Sequence, residues 1–330
     1  MRGMQIASTV DFDREGRQDG VLRLPMSTDA SAYGHVPIPI TCIRGGEGPT
    51  LLLLAGNHGD EYEGLVALRK LLASPDVAQI RGRLIVLPAA NLPAVRAGRR
   101  VAPQDEGNLN RSFVIGAPAT PTQQVASFIE NELLSRCDYA IDLHSGGASL
   151  RYVPAGVGNM VHDDPARNAR VKEMLAVFGA PVSFVSDTRL ASTTSFAAAA
   201  IRQGVVAIGT EAGGGASLSV AALRMVENGV RGVMGHLGML PGEAAKPGTR
   251  LLEVGGPEYF VYAPAAGLFE PFVEPGDTVK AGDVAAAIHA VEGPHAPVVA
   301  RFARDGVVLC RRQQGLAMPG DCLFHLGNDL

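Results

Sequence analysis

The stretch Gly56-Asn57-His58-Gly59-Asp60-Glu61-Tyr62-Glu63-Gly64 sits at the junction of two unlike patterns. Residues 51–55 before it are unbroken apolar sequence, the mark of a strand buried on both faces. Residues 61–73 after it carry apolar positions at helical spacing, ending before Pro75. The turn between them therefore holds a histidine and a carboxylate, three residues apart, at a strand-to-helix junction. In an open α/β sheet, ligands bind in the crevice beyond the carboxyl ends of the strands. A His-x-x-Glu pair on one tight turn can direct both side chains at a single metal ion.

Outward from this turn, strands and helices alternate. Strands are expected at residues 83–90, 139–143, 182–185 and 205–210, and helices at 120–135, 164–178, 192–203 and 217–237. The 120–135 helix has a start signal in Thr120-Pro121-Thr122-Gln123, with a capping Thr, Pro at the first helical position and Gln for a capping box. Residues 91–119 read as one long loop, a length usually tied to function or disorder. Short strands at 21–24 and 38–43 precede the turn. The alternation predicts a largely parallel sheet with helices on both faces. After Pro241 the helical pattern stops, and short β-type runs alternate with Pro-Gly and Gly-Asp turns. Two domains are expected: residues 1–248, an α/β domain with N-terminal strands, and residues 249–330, a small all-β domain.

Composition narrows the function. The net charge of −4, 5% aromatic content and absence of Trp leave neither a basic footprint nor a stacking surface for nucleic acid. The four cysteines, Cys42, Cys137, Cys310 and Cys322, contain no C-x-x-C pair, which suits a reducing compartment. With no signal-like start and no apolar run of roughly 20 residues, the expectation is a cytoplasmic protein without a membrane span. A homo-oligomer is compatible with this reading.

Three strand ends supply polar groups to one side of the sheet: His58 with Glu61, then His144, then Glu211. Each has an ordinary reading alone. Glu61 favours a helix N-terminus, His144 can be a hydrogen-bonded loop residue, and Glu211 can cap the next helix. Together, two histidines and a carboxylate suffice for a catalytic zinc that keeps a fourth position for water. Glu211 is then available as base and acid. The loop adds Asn110-Arg111, able to grip a carboxylate, and Arg99 and Arg100, candidates for stabilising an oxyanion. Asp60 and Glu63 are read as supports of the turn, and the glycines at 213–215 as room for a substrate beside Glu211.

In this order the motifs resemble the succinylglutamate desuccinylase/aspartoacylase branch of the zinc carboxypeptidase superfamily. The matching runs are Gly56 to Glu61, Asn108-Leu109-Asn110-Arg111-Ser112-Phe113, Asp142-Leu143-His144-Ser145-Gly146-Gly147 and Gly209-Thr210-Glu211. Within the branch, the His-Gly-Asp-Glu-Tyr-Glu-Gly and Leu-His-Ser-Gly-Gly runs are most similar to bacterial Nα-acetyl-diaminobutyrate deacetylases of ectoine breakdown. The resemblance implies a zinc-carboxypeptidase-like mixed sheet flanked by helices. It implies one zinc per subunit on His58, Glu61 and His144, substrate carboxylate binding by Asn110 and Arg111, and Glu211 as general base and acid. The carbonyl-polarising arginine falls at 99–100, where Arg100 fits the Gly-x-Arg wording. The implied reaction is zinc-dependent hydrolysis of a small N-acyl amino acid, with Nα-acetyl-L-2,4-diaminobutyrate favoured. Succinylglutamate desuccinylase or aspartoacylase activity is the alternative, and a non-catalytic metal- or ligand-binding protein the alternative of another class. The tail resembles a biotinyl/lipoyl-type sandwich through residues 263–269 and Glu274-Pro275-Gly276-Asp277, without the carrier lysine; Lys280 sits in the wrong element.

Overall fold

The structure is a computed structural model describing residues 6–241 and 248–330. Its centre is the leucine strand. In chain order the elements are β1 (Ala7–Ser8), β2 (Gly16–Thr28), β3 (Ser31–Gly45), β4 (Thr50–Ala55), α1 (Tyr62–Ala73), β5 (Gly82–Leu87), α2 (Leu92–Ala97), α3 (Pro121–Phe128), β6 (Tyr139–Leu143), β7 (Leu150–Tyr152), β8 (Ala155–Met160), α4 (Pro165–Phe178), β9 (Val182–Asp187), α5 (Phe196–Arg202), β10 (Val206–Glu211), α6 (Val220–His236) and β11 (Arg250–Val254). They order the sheet β1-β2-β3-β5-β4-β6-β10-β8-β9-β11. All six residues of β4 are buried, because both faces of the sheet are covered. Leu51, Leu53 and Ala55 join one core with α1, α4 and α6, while Leu52 and Leu54 join the other with α3 and α5. That is the reason the strand is continuously apolar rather than alternating.

β5, β4, β6 and β10 run parallel, so β4, β6 and β10 end side by side. The sheet is mixed, because β3 meets β5 and β8 meets β10 antiparallel. The expected strands at 21–24 and 38–43 are the inner parts of a long hairpin, with Gly16 opposite Arg44 and Thr28 opposite Ser31. Its outer residues are mostly exposed and lack apolar alternation, so only pairing reveals them as strand.

Several expectations are corrected. The long loop holds α2, closed by Gly98 in a left-handed conformation (φ +58°), and a single 3-10 turn at Leu109–Arg111. The 120–135 helix is α-helical only to Phe128 and continues as a π turn, Ile129–Leu133, and a 3-10 turn. Thr120 accepts from the Gln123 N–H at 3.2 Å, but the Gln123 amide oxygen reaches Ala119 N–H rather than Thr120. The 192–203 helix begins only at Phe196, since Ser195 caps it and Ser192 bonds its neighbours, a competition Ser and Thr favour. β7 and β8 fall where the sequence pattern shows only loop. β7 exists because it pairs with strand Gly306–Arg312, a partner far away in sequence.

At the C-terminal side, β11 pairs with β9 and with strand Cys322–Asp329, so the large sheet runs on into the tail. A second sheet orders Val298–Arg301, Val284–His289, Gly267–Pro271 and Leu316–Ala317. Phe269, Phe302 and Phe324 pack in the core of this tail. Lys280 is exposed and paired with Asp305 at 2.8 Å. The boundary expected at residue 248 adjoins residues 242–247, which lie outside the described residues. Among the described residues no helix is long and apolar enough to cross a membrane.

Candidate active site

The ends of β4, β6 and β10 converge on one buried group. β4 ends at Ala55, and the chain turns through Gly56 so that His58 and Glu61 face β6. Gly59 makes this turn possible, since a Cβ there would lie 1.9 Å from the Ala94 carbonyl oxygen. One Glu61 oxygen lies 2.6 Å from His58 Nδ1, and the other 2.8 Å from His144 Nδ1. His58, Glu61 and His144 each offer a ligand atom, and these atoms fall within 4.8 Å of one another, a set that fits one tetrahedral ion. Burial would raise the Glu61 carboxyl, but His144 and His58 beside it hold it far below the ordinary carboxylate range. Burial would lower His144; the carboxylates of Asp142 and Glu61 instead raise it well above the ordinary value.

The far sides of both rings are fixed. His58 Nε2 lies 3.0 Å from Asn108 Oδ1, and His144 Nε2 lies 2.8 Å from Asp142 Oδ2. Asn57 donates its amide to both Asp142 oxygens, at 2.9 and 2.8 Å. With an ion on the Nδ1 side, these acceptors would take the Nε2 protons and leave the Nδ1 lone pairs to the ion. Sequence reasoning misses Asn57, Asn108 and Asp142 as site residues. A signal exists for Asp142: on a strand, a residue two before His144 lies on the same face.

Glu211 ends β10 beside this group. One of its oxygens is buried without a hydrogen-bond partner among the described residues. Burial first, then the negative charge of Glu61, push its carboxyl up to about 8, against the opposing pull of His144 and Arg100. Arg100 reaches inward to 3.7 Å from Glu61 and 3.4 Å from His58 Nδ1, whereas Arg99 turns to Glu106 at 3.2 Å. Asn110 accepts the Phe196 N–H on its oxygen, which leaves its amide nitrogen 3.2 Å from His144 Nε2. Arg111 donates to the Asn110 carbonyl at 2.7 Å, and among the described residues no carboxylate pairs with it. The seven expected site residues thus gather at one end of the sheet.

The supports also have definite contacts. Asp60 accepts the Ala148 N–H at 2.7 Å, holding the loop that follows His144. Glu63 accepts the Ser219 N–H at 3.2 Å and so ties α1 to the start of α6. Within the glycine run, Gly214 is required by packing: a Cβ there would sit 2.1 Å from the Leu150 carbonyl oxygen. Gly146 N–H and Tyr152 N–H both bond the Gly213 carbonyl, zipping the His144 loop to the Glu211 loop. Strand Gly306–Arg312 braces the same loop through Val153 N–H to Leu309, and the residue after it does so through Gln313 N–H to Ser149.

Comparison with known proteins gives the family of the chain. Residues 47–237 match the model of the succinylglutamate desuccinylase/aspartoacylase catalytic domain. The chain is 38% identical to the N-alpha-acetyl-L-2,4-diaminobutyric acid deacetylase of Halomonas elongata, over 98% of this chain and 94% of that one. It superposes with a TM-score of 0.93, at 40% identity and 98% coverage of both chains, on the product-bound ectoine utilization protein EutE (DoeB) of Ruegeria pomeroyi. A succinylglutamate desuccinylase/aspartoacylase structure from Rhodobacter sphaeroides matches with a TM-score of 0.93 at 36% identity, covering 99% of each chain. The matched catalytic region contains β4, β6 and β10 and the polar groups at their ends, and the chain belongs to the succinylglutamate desuccinylase/aspartoacylase family.

Proposed function

We propose that the protein is a zinc-dependent deacylase that hydrolyses the amide of Nα-acetyl-L-2,4-diaminobutyrate, releasing acetate and the free amine. The observation that carries the reading is the His58, Glu61 and His144 group lying beside a buried Glu211 oxygen that has no partner among the described residues. Asn108 and Asp142 would take the Nε2 proton of each ring once an ion sits on the Nδ1 side, so the donor set suits zinc, one ion per subunit. Bound there, zinc supplies a Lewis acid and lowers the pKa of water.

The chain's own residues do the rest. Asn110 and Arg111 hold the amino-acid carboxylate, Arg111 having a guanidinium without a carboxylate partner among the described residues. Arg100, turned inward beside Glu61, donates to the oxygen of the scissile carbonyl as it gains charge. Glu211 takes a proton from the attacking water and returns it to the departing nitrogen. Burial and the neighbouring Glu61 raise its carboxyl above the ordinary value, which favours holding the proton until the nitrogen takes it. The acetyl and diaminobutyrate choices follow the deacetylase named above, with which the chain aligns almost end to end.

The test is a panel of N-acetyl, N-succinyl and N-acetylaspartyl substrates incubated with zinc-loaded and with chelator-stripped protein. Acetate release from Nα-acetyl-2,4-diaminobutyrate by the loaded protein alone is the expected result. Equal inactivity on acetyl and succinyl substrates refutes the reading.

A further inference from the structure

Beneath Glu211 a cavity of about 170 Å³ runs down the face of the sheet. Strand alternation builds its floor. β10 turns Ala207, Gly209 and Glu211 to this face. β8 runs antiparallel to it, with Glu211 opposite Ala155 and Gly209 opposite Val157, so Val157 and Asn159 face the same way. The intervening Gly156 and Gly158 face α4 instead, where an added Cβ would meet Leu175 and Val171. Gly209 leaves the middle of the floor open, and Asn159 lies one pair further from Glu211 than Val157. The opposite wall is Ser195, Phe196 and Ala197, at the start of α5.

The lining is mixed, with Val157, Phe196, Ala197 and Ala207 beside its polar groups. Asp142 and Glu211 are its carboxylates, and no Lys or Arg is among its lining residues. Both Asp142 oxygens are engaged by Asn57 and His144. Asn159 accepts the Ser186 hydroxyl at 3.2 Å and keeps one oxygen lone pair. On the other side of Asn159 and Ser195 lies a second cavity, of about 450 Å³ and largely apolar, which shares these two residues with the first.

We propose that the cavity beneath Glu211 receives the side chain of the acylated amino acid, and that Asn159 sets its specificity. Asn159 closes the cavity against its larger neighbour, which limits the side chain to a short one. Its free oxygen lone pair accepts a terminal amine. A terminal carboxylate would find no Lys or Arg on the walls to pair with, and a methyl would leave that lone pair unused. The inference rests on the deacylase reading above and names the part of the chain that chooses the amino acid.

The experiment compares kcat/KM of zinc-loaded protein on Nα-acetyl-2,4-diaminobutyrate, N-acetylnorvaline (the same length, ending in methyl) and N-acetylaspartate. The native protein should favour the first at least tenfold over each of the others. Asn159→Leu, close in size, should lower the diaminobutyrate-to-norvaline ratio at least tenfold, whereas Asn159→Asp should keep or raise it. Because the readout is a ratio, a loss of folded or metal-loaded protein cancels. A ratio within twofold of native in Asn159→Leu, or a native preference for N-acetylaspartate, overturns the role of Asn159 while leaving the deacylase standing. No acetate from any of the three substrates overturns both.

Discussion

Asp142 offers the sharpest test of how the metal group is held. Its Oδ2 accepts both His144 Nε2 and the Asn57 amide at 2.8 Å, while Oδ1 accepts Asn57 alone at 2.9 Å. In the Asp142→Asn variant, the amide oxygen at the Oδ2 position would keep both of its bonds. The new NH2 at the Oδ1 position would then oppose the Asn57 NH2, donor against donor, and the negative charge behind the imidazole would be gone. Outer partners of metal-binding histidines are worth about 10–100-fold in metal affinity. The conservative change should sit near the low end, about 1.4 kcal/mol, and Asp142→Ala, which frees the ring, near about 2.7 kcal/mol. Competition with a chromophoric chelator measures both zinc dissociation constants, and circular dichroism checks the fold. Native zinc affinity in folded Asp142→Ala would refute the argument that the Nε2 partner organises the site.

Three further outcomes are expected. Glu211→Gln should bind zinc like the native protein yet lose about 10²–10⁴ in kcat, as removal of a proton shuttle does; a native turnover rate in a zinc-loaded sample assigns the proton to another group. Gly214→Ala places a Cβ 2.1 Å from the Leu150 carbonyl at φ +140° and should cost about 1–3 kcal/mol in urea unfolding, lowering kcat because the Glu211 and His144 loops separate; unchanged stability and kcat would mean those loops are not coupled. The third concerns His325, buried without a partner and stacked on Phe260 with ring centroids 4.2 Å apart. Burial lowers its pKa to about 4, so between there and the ordinary value of 6.5 the unfolded chain holds the extra proton. The contribution to stability is full above 6.5 and is lost as pH falls toward 4, on the order of 3 kcal/mol in all. His325→Phe should keep the stack and flatten that acid limb of a melting-temperature profile; an unchanged acid slope would contradict it.

Much of the centre is legible in the sequence because local pattern and local chemistry coincide there. The run Leu51-Leu52-Leu53-Leu54 admits one reading, and a turn with His58 and Glu61 follows it directly. The same holds for Asp142-Leu143-His144 and for Gly209-Thr210-Glu211, each an apolar strand that ends in a polar group. What escapes is structure without local pattern. β7 is three residues long and is held by Cys310–Arg312. The outer half of the β2–β3 hairpin is solvent-facing, so it lacks the alternation that marks a half-buried strand. The packing role of Gly214 escapes as well, because its tight partner, Leu150, is distant in sequence.

By itself the sequence brought forward the residues of the proposed chemistry, because two histidines and two carboxylates sit in short motifs at strand ends, with an Asn-Arg pair in the loop between them. It also determined that a sheet with two covered faces would present them, since continuous apolar strands have no other stable place. The tertiary structure decided the choices that depend on neighbours. It turned Arg100 inward and Arg99 toward Glu106, put Asn108 and Asp142 behind the two histidines, and set Asn159 and Glu211 on the walls of one cavity on the sheet face. These placements depend on strand order, register and loop packing, which bring together groups that no single stretch of sequence contains.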